Sequence, residues 1–390
     1  MPAVTGSATR GAPKPGGKLR QSRIALVVGT RPEAIKLSPV AHALADLGEP
    51  PCLYVTGQHP GLELVDHRLE GFAAIPLNCP GQPDPMLHAD LVRSSLKRLL
   101  PIERPELLLV QGDTSSALGG ALAAREVGIP LAHVEAGLRT YDPNLPWPEE
   151  ENRVTIDRLS DLLFAPTSGN AANLRREKVA GQIRVTGNSG IDALAELVGP
   201  LPVRPRRRWP WQPFRLLVTC HRRENWGAGL DGVAKAMLAL GSRVQVTILL
   251  PPNPTVTERM TRLLGPHPGI RLVPPLSHPA TIEAMRNADL LLSDSGGMQE
   301  EAPALGIPLL VLRDKTERPE GLLTGTSELI GTDPDRIIEA VERLRRDRGM
   351  LKSMRHPSLP FGDGQASSRI ARYCLMFLDQ AEEVRESRIA

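Results

Sequence analysis

Three carboxylate side chains stand where a parallel α/β fold would place its chemistry. Glu135 directly follows the short apolar run LAHV, Asp113 follows the run ELLLV after two intervening residues, and Glu149 opens a helical stretch after a proline-rich loop. Ligands of such folds bind outside the carboxyl ends of the strands. Carboxyl groups gathered there can move protons to and from a substrate. The three are therefore candidate acid–base groups.

Glu135 is the most distinctive of the three, because no cation adjoins it in the sequence. A glutamate in that position is expected to be partly desolvated, with a raised pKa. Asp113 is equally explained as the N-cap of a helix, and Glu149 as an acid in a first helical turn. The nearby Arg139 and Arg153 could make a structural ion-pair network with these carboxylates.

The string DSGG, which begins at Asp294, is a candidate diphosphate site between an apolar run and a predicted helix. Ser295, Gly296 and Gly297 would bring free backbone N–H groups close to a ligand. Glu301, in the same helix, could accept hydrogen bonds from both hydroxyls of a ribose. An ordinary strand-to-helix turn, capped by Asp294 or Ser295, explains the string equally well.

Cations are expected on both sides of the same cleft. Arg31 and Lys36 flank the first strand–helix turn, and His221 and Arg222 follow the first strand of the second half. Arginine and lysine there could neutralise phosphate or leaving-group charge. Each of these side chains alone is as well explained by surface solvation or, for the histidine, by a structural role.

A fold that places these groups around one cleft needs two α/β domains. Apolar runs alternate with helical patterns from residue 23 onward, which predicts right-handed βαβ units and parallel sheets. One such helix is predicted over 62–70. A segment with five prolines, 199–213, is interpreted as a linker, after which the alternation restarts.

The predicted organisation is a disordered tail over 1–22, a Rossmann-like domain over 23–188 and a second one over 189–366. The last helix, 367–386, is expected to pack back on the first domain. Two such domains facing each other leave a cleft between their strand ends, where a ligand can bind.

Composition excludes several classes of function. Aromatic residues make up 3% of the chain, too few for base-stacking platforms, and the net charge is only +3, so nucleic-acid binding is not expected. The four cysteines show no metal-ligand spacing, which argues against structural zinc and for a reduced, cytoplasmic setting. No apolar run approaches the ~20 residues of a membrane span.

A family resemblance rests on nine strings in order. They are GTRPEAIKLSPV (29–40), TGQH (56–59), GDTSSAL (112–118), HVEAGLRT (133–140), PWPEEENR (146–153), TGNSGIDAL (186–194), HRREN (221–225), DSGGMQEEAPALGIPLLVLRDKTERPE (294–320) and FGDGQAS (361–367). Together they resemble the non-hydrolysing UDP-N-acetylglucosamine 2-epimerase family over nearly the whole chain from residue 23.

The resemblance implies a GT-B type fold, a homodimer without cofactor or metal, and the interconversion of UDP-GlcNAc and UDP-ManNAc. It makes Asp113, Glu135 and Glu149 the acid–base residues, with His221 near the diphosphate. The substrate-binding set it implies is Arg31, Lys36, Arg139, Ser295, Gly296, Gly297, Glu301 and Arg318.

The resemblance also points to a second, activating substrate site near Gln58 and Arg222. Two departures bear on these expectations. Thr281 stands where some members have an aromatic residue over the uracil, and Pro60-Gly61 replaces the charged pair that usually follows TGQH.

Four alternatives stay open at the level of sequence. The first is a hydrolysing relative that releases ManNAc and UDP, and the second is a 2-epimerase of a diacetamido uronic acid nucleotide. The others are a GT-B glycosyltransferase, which would need an acceptor site, and a non-catalytic UDP-sugar sensor, against which the three carboxylates argue.

Overall fold

The structure, a computed structural model, describes residues 22–203, 205–206 and 211–389. The predicted tail therefore lies outside the described residues except for Ser22, as do Arg204, Arg207 and Arg208 of the linker. Within these ranges, no helix combines the length and apolar composition that crossing a membrane requires.

The first group of elements, called the N-lobe, builds one sheet. It comprises β1 (Ile24–Val28), α1 (Arg31–Asp46), β2 (Cys52–Val55), β3 (Ala74–Pro76), α2 (Pro85–Glu103), β4 (Leu107–Gln111), α3 (Ser115–Val127), β5 (Leu131–Val134), α4 (Glu149–Leu159), β6 (Leu162–Ala165), α5 (Ser168–Arg176) and β7 (Gln182–Val185).

The second group, called the C-lobe, follows the helix α6 (Ser189–Val198). It comprises β8 (Arg215–Thr219), α7 (Ala228–Leu240), β9 (Gln245–Leu249), α8 (Pro254–Leu264), β10 (Ile270–Val273), α9 (His278–Arg286), β11 (Leu290–Ser293), α10 (Gly296–Leu305), β12 (Leu309–Val311), α11 (Glu320–Leu323), β13 (Ser327–Leu329), α12 (Pro334–Arg346) and α13 (Arg348–Met354). A long helix, α14 (Ala366–Ile389), ends the described chain.

Both sheets are parallel and doubly wound. In the described residues the N-lobe sheet has the order β3-β2-β1-β4-β5-β6-β7, and the C-lobe sheet the order β10-β9-β8-β11-β12-β13. The strand order reverses next to the first strand of each lobe, and at such points α/β folds bind ligands. The predicted fold class is confirmed. We retain residue 188 as the proposed boundary between the two domains.

The last helix completes the core of the N-lobe. Ile370, Ala371, Cys374 and Leu378 of α14 are buried in one apolar cluster with β1, β4 and α1. The chain thus passes from the N-lobe to the C-lobe and back. The two passages touch each other, since the Asn188 amide donates to the Phe361 carbonyl at 2.7 Å.

One predicted element is absent. Instead of a helix over 62–70, the chain forms a single 3₁₀ turn, Leu64–His67, which ends at Arg68 in the left-handed region. Pro60, Gly61 and Gly71 bracket this segment, so too few helix-forming residues remain for the costly first turn to propagate.

The turn after β5 is tight and carries the most prominent carboxylate of the sequence. Glu135 and Gly137 both have positive φ, +75° and +84°. The amides of Glu135 and Ala136 both donate to the carbonyl of Phe164, at 3.1 and 3.0 Å. A non-glycine residue held in this region stores strain of roughly 1–3 kcal/mol, typically at functional sites.

We expect Gly137→Ala to destabilise the protein more than Gly48→Ala. Both glycines have φ near +85°, but a Cβ at Gly137 would lie 2.4 Å from the Asn170 carbonyl oxygen, whereas none of the described atoms lies within 4 Å at Gly48. The shared strain is roughly 1–2 kcal/mol, and the overlap adds about 1–3 kcal/mol at Gly137. Urea unfolding measures both, and equal losses would contradict the tight packing of this turn.

Candidate active site

The residues that follow the strand ends of the two lobes meet in one buried group of charges. Lys36 and Glu135 come from the N-lobe, and Glu300 and Arg318 come from the C-lobe. We call these four side chains the charge cluster. The Lys36 Nζ lies 2.5 Å from Glu135 Oε1 and 2.9 Å from Glu300 Oε2. Arg318 donates to Glu300 at 2.6 Å and to Glu135 at 3.2 Å.

Glu135 is the most heavily hydrogen-bonded carboxylate of the cluster. Besides the two cations, Asn188 donates to it at 3.2 Å, and the Gln111 side-chain amide donates to its other oxygen. Burial alone would raise the pKa of Glu135, but Lys36 and Arg318 lower it to about 2. The raised pKa predicted from the sequence is therefore wrong, because the neutralising cations come from α1 and from the other lobe.

Asp113 lies beside the first turns of α4. Its carboxylate accepts a hydrogen bond from Arg153 at 2.6 Å, and its backbone carbonyl accepts one from Asn152 at 2.8 Å. The preceding residue, Gly112, lies close to Glu135: a Cβ added at Gly112 would be 3.5 Å from Glu135 Oε2. Asp113 keeps a quarter of its side chain exposed, so its carboxylate remains accessible.

Glu149 opens α4 and faces the C-lobe. Arg222 approaches it to 3.6 Å across the cleft. Burial raises the pKa of Glu149 and the nearby Asp113 adds to that effect, while Arg222 opposes it. A carboxyl group with a raised pKa can hold a proton at higher pH than an ordinary glutamate, which suits an acid.

Asp294 organises the loop that carries His221. Its buried carboxylate accepts hydrogen bonds from the backbone amides of His221 and Arg222, at 2.9 and 2.8 Å, and from the Asn225 side chain at 2.9 Å. The His221 Nδ1 lies 3.4 Å from the same carboxylate. Asp294 therefore fixes the His221 loop and does not cap α10 with its side chain.

The start of α10 is open toward the cleft. Ser295 stands at its N-cap position without a side-chain hydrogen bond to the helix, and Gly296 and Gly297 follow as the first helical residues. A Cβ at Gly296 would lie 2.8 Å from the Arg318 guanidinium carbon, so only glycine lets that cation approach the helix start. A cation beside free N–H groups is an arrangement that binds phosphate.

Three other predicted residues occupy the margins of this cleft. Glu301 pairs with His278 at 2.7 Å. The Arg31 amide lies 3.4 Å from the His59 ring, and its side chain is exposed. Gln58 accepts a hydrogen bond from the Ser116 hydroxyl at 2.7 Å, inside the N-lobe.

Arg139 is not brought to the charge cluster. It is buried between Asp157 at 2.7 Å and Glu177 at 2.8 Å, and Asp157 also pairs with His133 at 2.6 Å. Every nitrogen of its guanidinium has a protein acceptor, since Nη1 donates to the Leu138 carbonyl. We correct the prediction of substrate contact: the geometry favours Arg139 as a residue that supports the β5 turn.

Sequence reasoning missed Glu300, Asn188 and Gln111. The sequence directed attention to the neighbouring Glu301, as a residue that could reach a ribose. Glu300 is four residues after Gly296, so it lies on the same face of α10 as the glycine at the helix start. Asn188 signalled only a helix start, where its side chain does cap α6. In the described part of the chain, no group of histidine, cysteine and acidic side chains could hold a metal ion.

We expect Arg139→Gln to lower the free energy of unfolding by about 3–5 kcal/mol, because it leaves Asp157 and Glu177 without their cation in a buried site. Chemical unfolding followed by circular dichroism measures this change. The exposed Arg259, which pairs with Asp231 at 2.7 Å, offers a matched control. Arg259→Gln should cost less than ~1 kcal/mol, and a similar loss for both variants would restore a non-structural role for Arg139.

Comparison with known proteins identifies the family of this chain. The family model described as UDP-N-acetylglucosamine 2-epimerase matches residues 49–375. The UDP-N-acetylglucosamine 2-epimerase of Escherichia coli K12 is 40% identical over 373 residues, which cover 89% of this chain and 97% of the relative. That of Bacillus subtilis is 37% identical over 380 residues, 95% of this chain and 99% of the relative.

A solved structure shows the same architecture. The UDP-GlcNAc 2-epimerase of Neisseria meningitidis, bound to UDP-GlcNAc, is 34% identical, with a TM-score of 0.82 over 90% of this chain and 99% of that one. The two facing Rossmann-like lobes thus have the predicted GT-B arrangement. The family model, the identity and coverage of the relatives and the shared architecture agree, and the chain belongs to the UDP-N-acetylglucosamine 2-epimerase family.

Proposed function

We propose that the protein interconverts UDP-GlcNAc and UDP-ManNAc by inverting sugar C2, without releasing free sugar. The single observation that carries the proposal is the charge cluster, in which cations suited to a diphosphate lie against a carboxylate at the strand ends of both lobes. Relatives of known structure are bound to UDP-GlcNAc, in Neisseria meningitidis, and to UDP-GlcNAc and UDP, in Methanocaldococcus jannaschii.

The chemistry must solve one difficulty. The proton on C2 is not acidic, because no carbonyl group adjoins that carbon. Its removal becomes feasible when the bond from C1 to the diphosphate oxygen breaks in the same event. The electron pair of the C2–H bond then forms a C1–C2 double bond, UDP leaves with the electrons of the C1–O bond, and a 2-acetamidoglucal results.

Return of the proton to the opposite face inverts C2. The oxygen of UDP adds again to C1 as an acid protonates C2, so atoms and charge balance over the cycle. The site therefore needs a base, an acid and cations that hold UDP while the glucal exists. Such a clamp stabilises charge that develops on the leaving diphosphate.

We assign these roles to the residues at the cleft. Asp113 and Glu135 transfer protons, and Glu149, with its raised pKa, acts as an acid or supports one. Lys36, Arg31 and Arg318 hold the diphosphate together with Ser295, Gly296 and Gly297, and His221 lies near it. Glu301, which pairs with His278 at 2.7 Å, accepts hydrogen bonds from the ribose hydroxyls.

Purified protein incubated with UDP-GlcNAc alone in D₂O should give UDP-ManNAc with deuterium at C2, observed by proton NMR. The proton that returns comes from a residue that exchanges with solvent, which is why the label enters. Product with unlabelled C2 would exclude this mechanism. Free ManNAc with an equal amount of UDP would favour the hydrolysing alternative, and no turnover at all would favour a sensor or a transferase that needs an acceptor.

Asp113→Asn and Glu135→Gln should each lower kcat by about 10²–10⁴-fold, the usual contribution of general acid–base catalysis. Asp231→Asn, an exposed change in the C-lobe, serves as the control and should retain full activity. Near-normal kcat in both site variants, with unchanged thermal melting, would remove these carboxylates from the mechanism.

We also propose a homodimer, supported by an apolar stripe on α2. Met86, Leu87 and Leu91 are 48%, 56% and 43% exposed in the single chain. Sedimentation of Leu87→Asp/Leu91→Asp should show monomer where the unmodified protein shows dimer, because two charges would be buried without partners. A monomeric unmodified protein, or a dimeric variant, would contradict the proposal.

Three finer expectations stay predictions. They are a cytoplasmic location, a role in surface polysaccharide synthesis, and activation by substrate at Gln58 and Arg222. Gln58 accepts a hydrogen bond from Ser116, which lies in the first turn of α3 and three residues after Asp113, and this contact supports the last of them.

A further inference from the structure

Arg153 is a buried cation to which the proposed mechanism gives no role. It lies in the second turn of α4, and 2% of its side chain is exposed. Its Nη2 donates a hydrogen bond of 2.6 Å to Oδ2 of Asp113, one of the two residues to which we assign proton transfer. A hydrogen bond between a guanidinium and a carboxylate is strong and directional. An unassigned cation therefore contacts the proposed acid–base chemistry directly.

The loop 112–114 is held by contacts that do not involve Arg153. Its first carbonyl lies 2.8 Å from the His133 ring, and its second carbonyl accepts a hydrogen bond from the Asn152 side chain at 2.8 Å. The hydroxyl of its third residue donates to Glu33 at 2.5 Å. Because these contacts fix the path of the loop, Arg153 acts on the direction of one side chain.

The direction of the Asp113 carboxylate depends on one donor. Among the described residues, Arg153 is the one whose side chain donates a hydrogen bond to this carboxylate, and the bond reaches Oδ2. The torsion that rotates an aspartate carboxylate is broad and favours no single orientation strongly. Asp113 also keeps 24% of its side chain exposed, so the surrounding packing does not lock it. Arg153 therefore determines that Oδ1 is the oxygen left for a ligand.

Arg153 is itself fixed at a second point. Its Nη1 lies 3.2 Å from Oε2 of Glu150 in the preceding turn of α4. Glu150 accepts hydrogen bonds from the backbone amides of Thr140 and Tyr141, at 3.0 and 2.9 Å. A functional group is held precisely when the side chain behind it is locked by contacts of its own. The hydrogen bond to Asp113 therefore has a defined direction.

The other two candidate carboxylates are held partly across the cleft. Glu135 accepts a hydrogen bond from Arg318, and Arg222 approaches Glu149, so residues of the C-lobe contribute to both. Arg153 and its carboxylate partner both belong to the N-lobe. Their contact therefore does not depend on the position of the C-lobe, and the N-lobe alone supplies one acid–base group in a fixed geometry.

We propose that Arg153 is a positioning residue for the reaction at C2, which holds Asp113 by Oδ2 and thereby points Oδ1 at the sugar. This inference rests on the proposed epimerase activity and deepens it. The proton moves between C2 and Asp113 Oδ1: the carboxylate takes it in one direction of the reaction and returns it in the other. Arg153 forms no covalent bond and keeps its charge in both directions.

Loss of the donor should lower the rate and leave substrate binding nearly intact. Arg153→Met removes the charge and keeps an unbranched side chain. The described contacts of Arg153 are with Asp113 and Glu150, not with residues assigned to the diphosphate. A displacement of a reacting group by ~1 Å can cost about 10²-fold in rate. We therefore expect kcat to fall about 10–100-fold, with KM nearly unchanged.

A double-mutant cycle separates this role from a structural one. A residue that acts only through Asp113 has nothing left to position once Asp113→Asn has removed the proton-transferring group. In the Asp113→Asn background, Arg153→Met should therefore change kcat by less than about twofold. A purely structural role would lower kcat by the same factor in both backgrounds. Proton NMR of saturating UDP-GlcNAc measures the four rates of the cycle.

Arg158→Met is the matched control, because Arg158 is an exposed arginine in the last turn of the same helix. It should retain full activity. Near-normal kcat in Arg153→Met, or an equal loss of kcat in both backgrounds, would overturn the inference.

Arg153→Lys replaces Arg153→Met in the cycle if the latter fails to fold by circular dichroism. Lysine keeps a cation beside Glu150 but lacks the planar fork of donors, so its kcat should also fall, and the same two outcomes would overturn the inference. Full activity of Asp113→Asn would overturn it together with the assigned role of Asp113. Absence of UDP-ManNAc from the unmodified protein would instead contradict the proposed function.

Discussion

The cleft depends on the mutual neutralisation of four charges that come from both lobes. Lys36 and Glu135 cannot be buried where they lie unless Arg318 and Glu300 arrive from the other side, and the reverse holds equally. Removing a single partner from such a group leaves an uncompensated charge in a water-poor site, which costs several kcal/mol. The relative position of the lobes and the ionisation of the cleft carboxylates therefore depend on each other.

The two sheets supply this arrangement for a geometric reason. Each lobe carries its buried apolar strands in parallel, so all carboxyl ends of a sheet open at one edge, and the turns that follow β5 and β12 face each other. Residues in those turns have few backbone partners and need polar contacts of their own. Glu135 is the example: its φ is positive, and four side chains donate hydrogen bonds to its carboxylate.

Much of this follows from the sequence, because the pattern of apolar runs and helix starts is local. The strands, the order of the lobes and the placement of Asp113 and Glu135 at strand ends could all be predicted. The ionisation of Glu135 could not, because its cations are 99 and 183 residues away along the chain. Arg139 illustrates the same limit: the resemblance implied contact with substrate, but Arg139 lies in ion pairs with Asp157 and Glu177. Of the two interpretations, the structural ion-pair network is the one that this geometry favours.

The two passages of the chain between the lobes add a constraint on how the cluster can open. Gly187 and Gly362 pack against each other there, and Asn188, the residue between the N-lobe and α6, extends its side chain to Glu135. Glu135 thus keeps the contacts of Asn188 and Gln111 whatever the C-lobe does, whereas Glu300 and Arg318 move with it. A carboxylate that loses a neighbouring cation while it remains buried becomes a stronger base. Separation of the lobes would remove Arg318 from Glu135, and an anion would compete with Glu135 for Lys36 and Arg318, so both act on Glu135 in the same direction. The basicity of that residue is then set by what occupies the cleft, and only secondarily by its own turn.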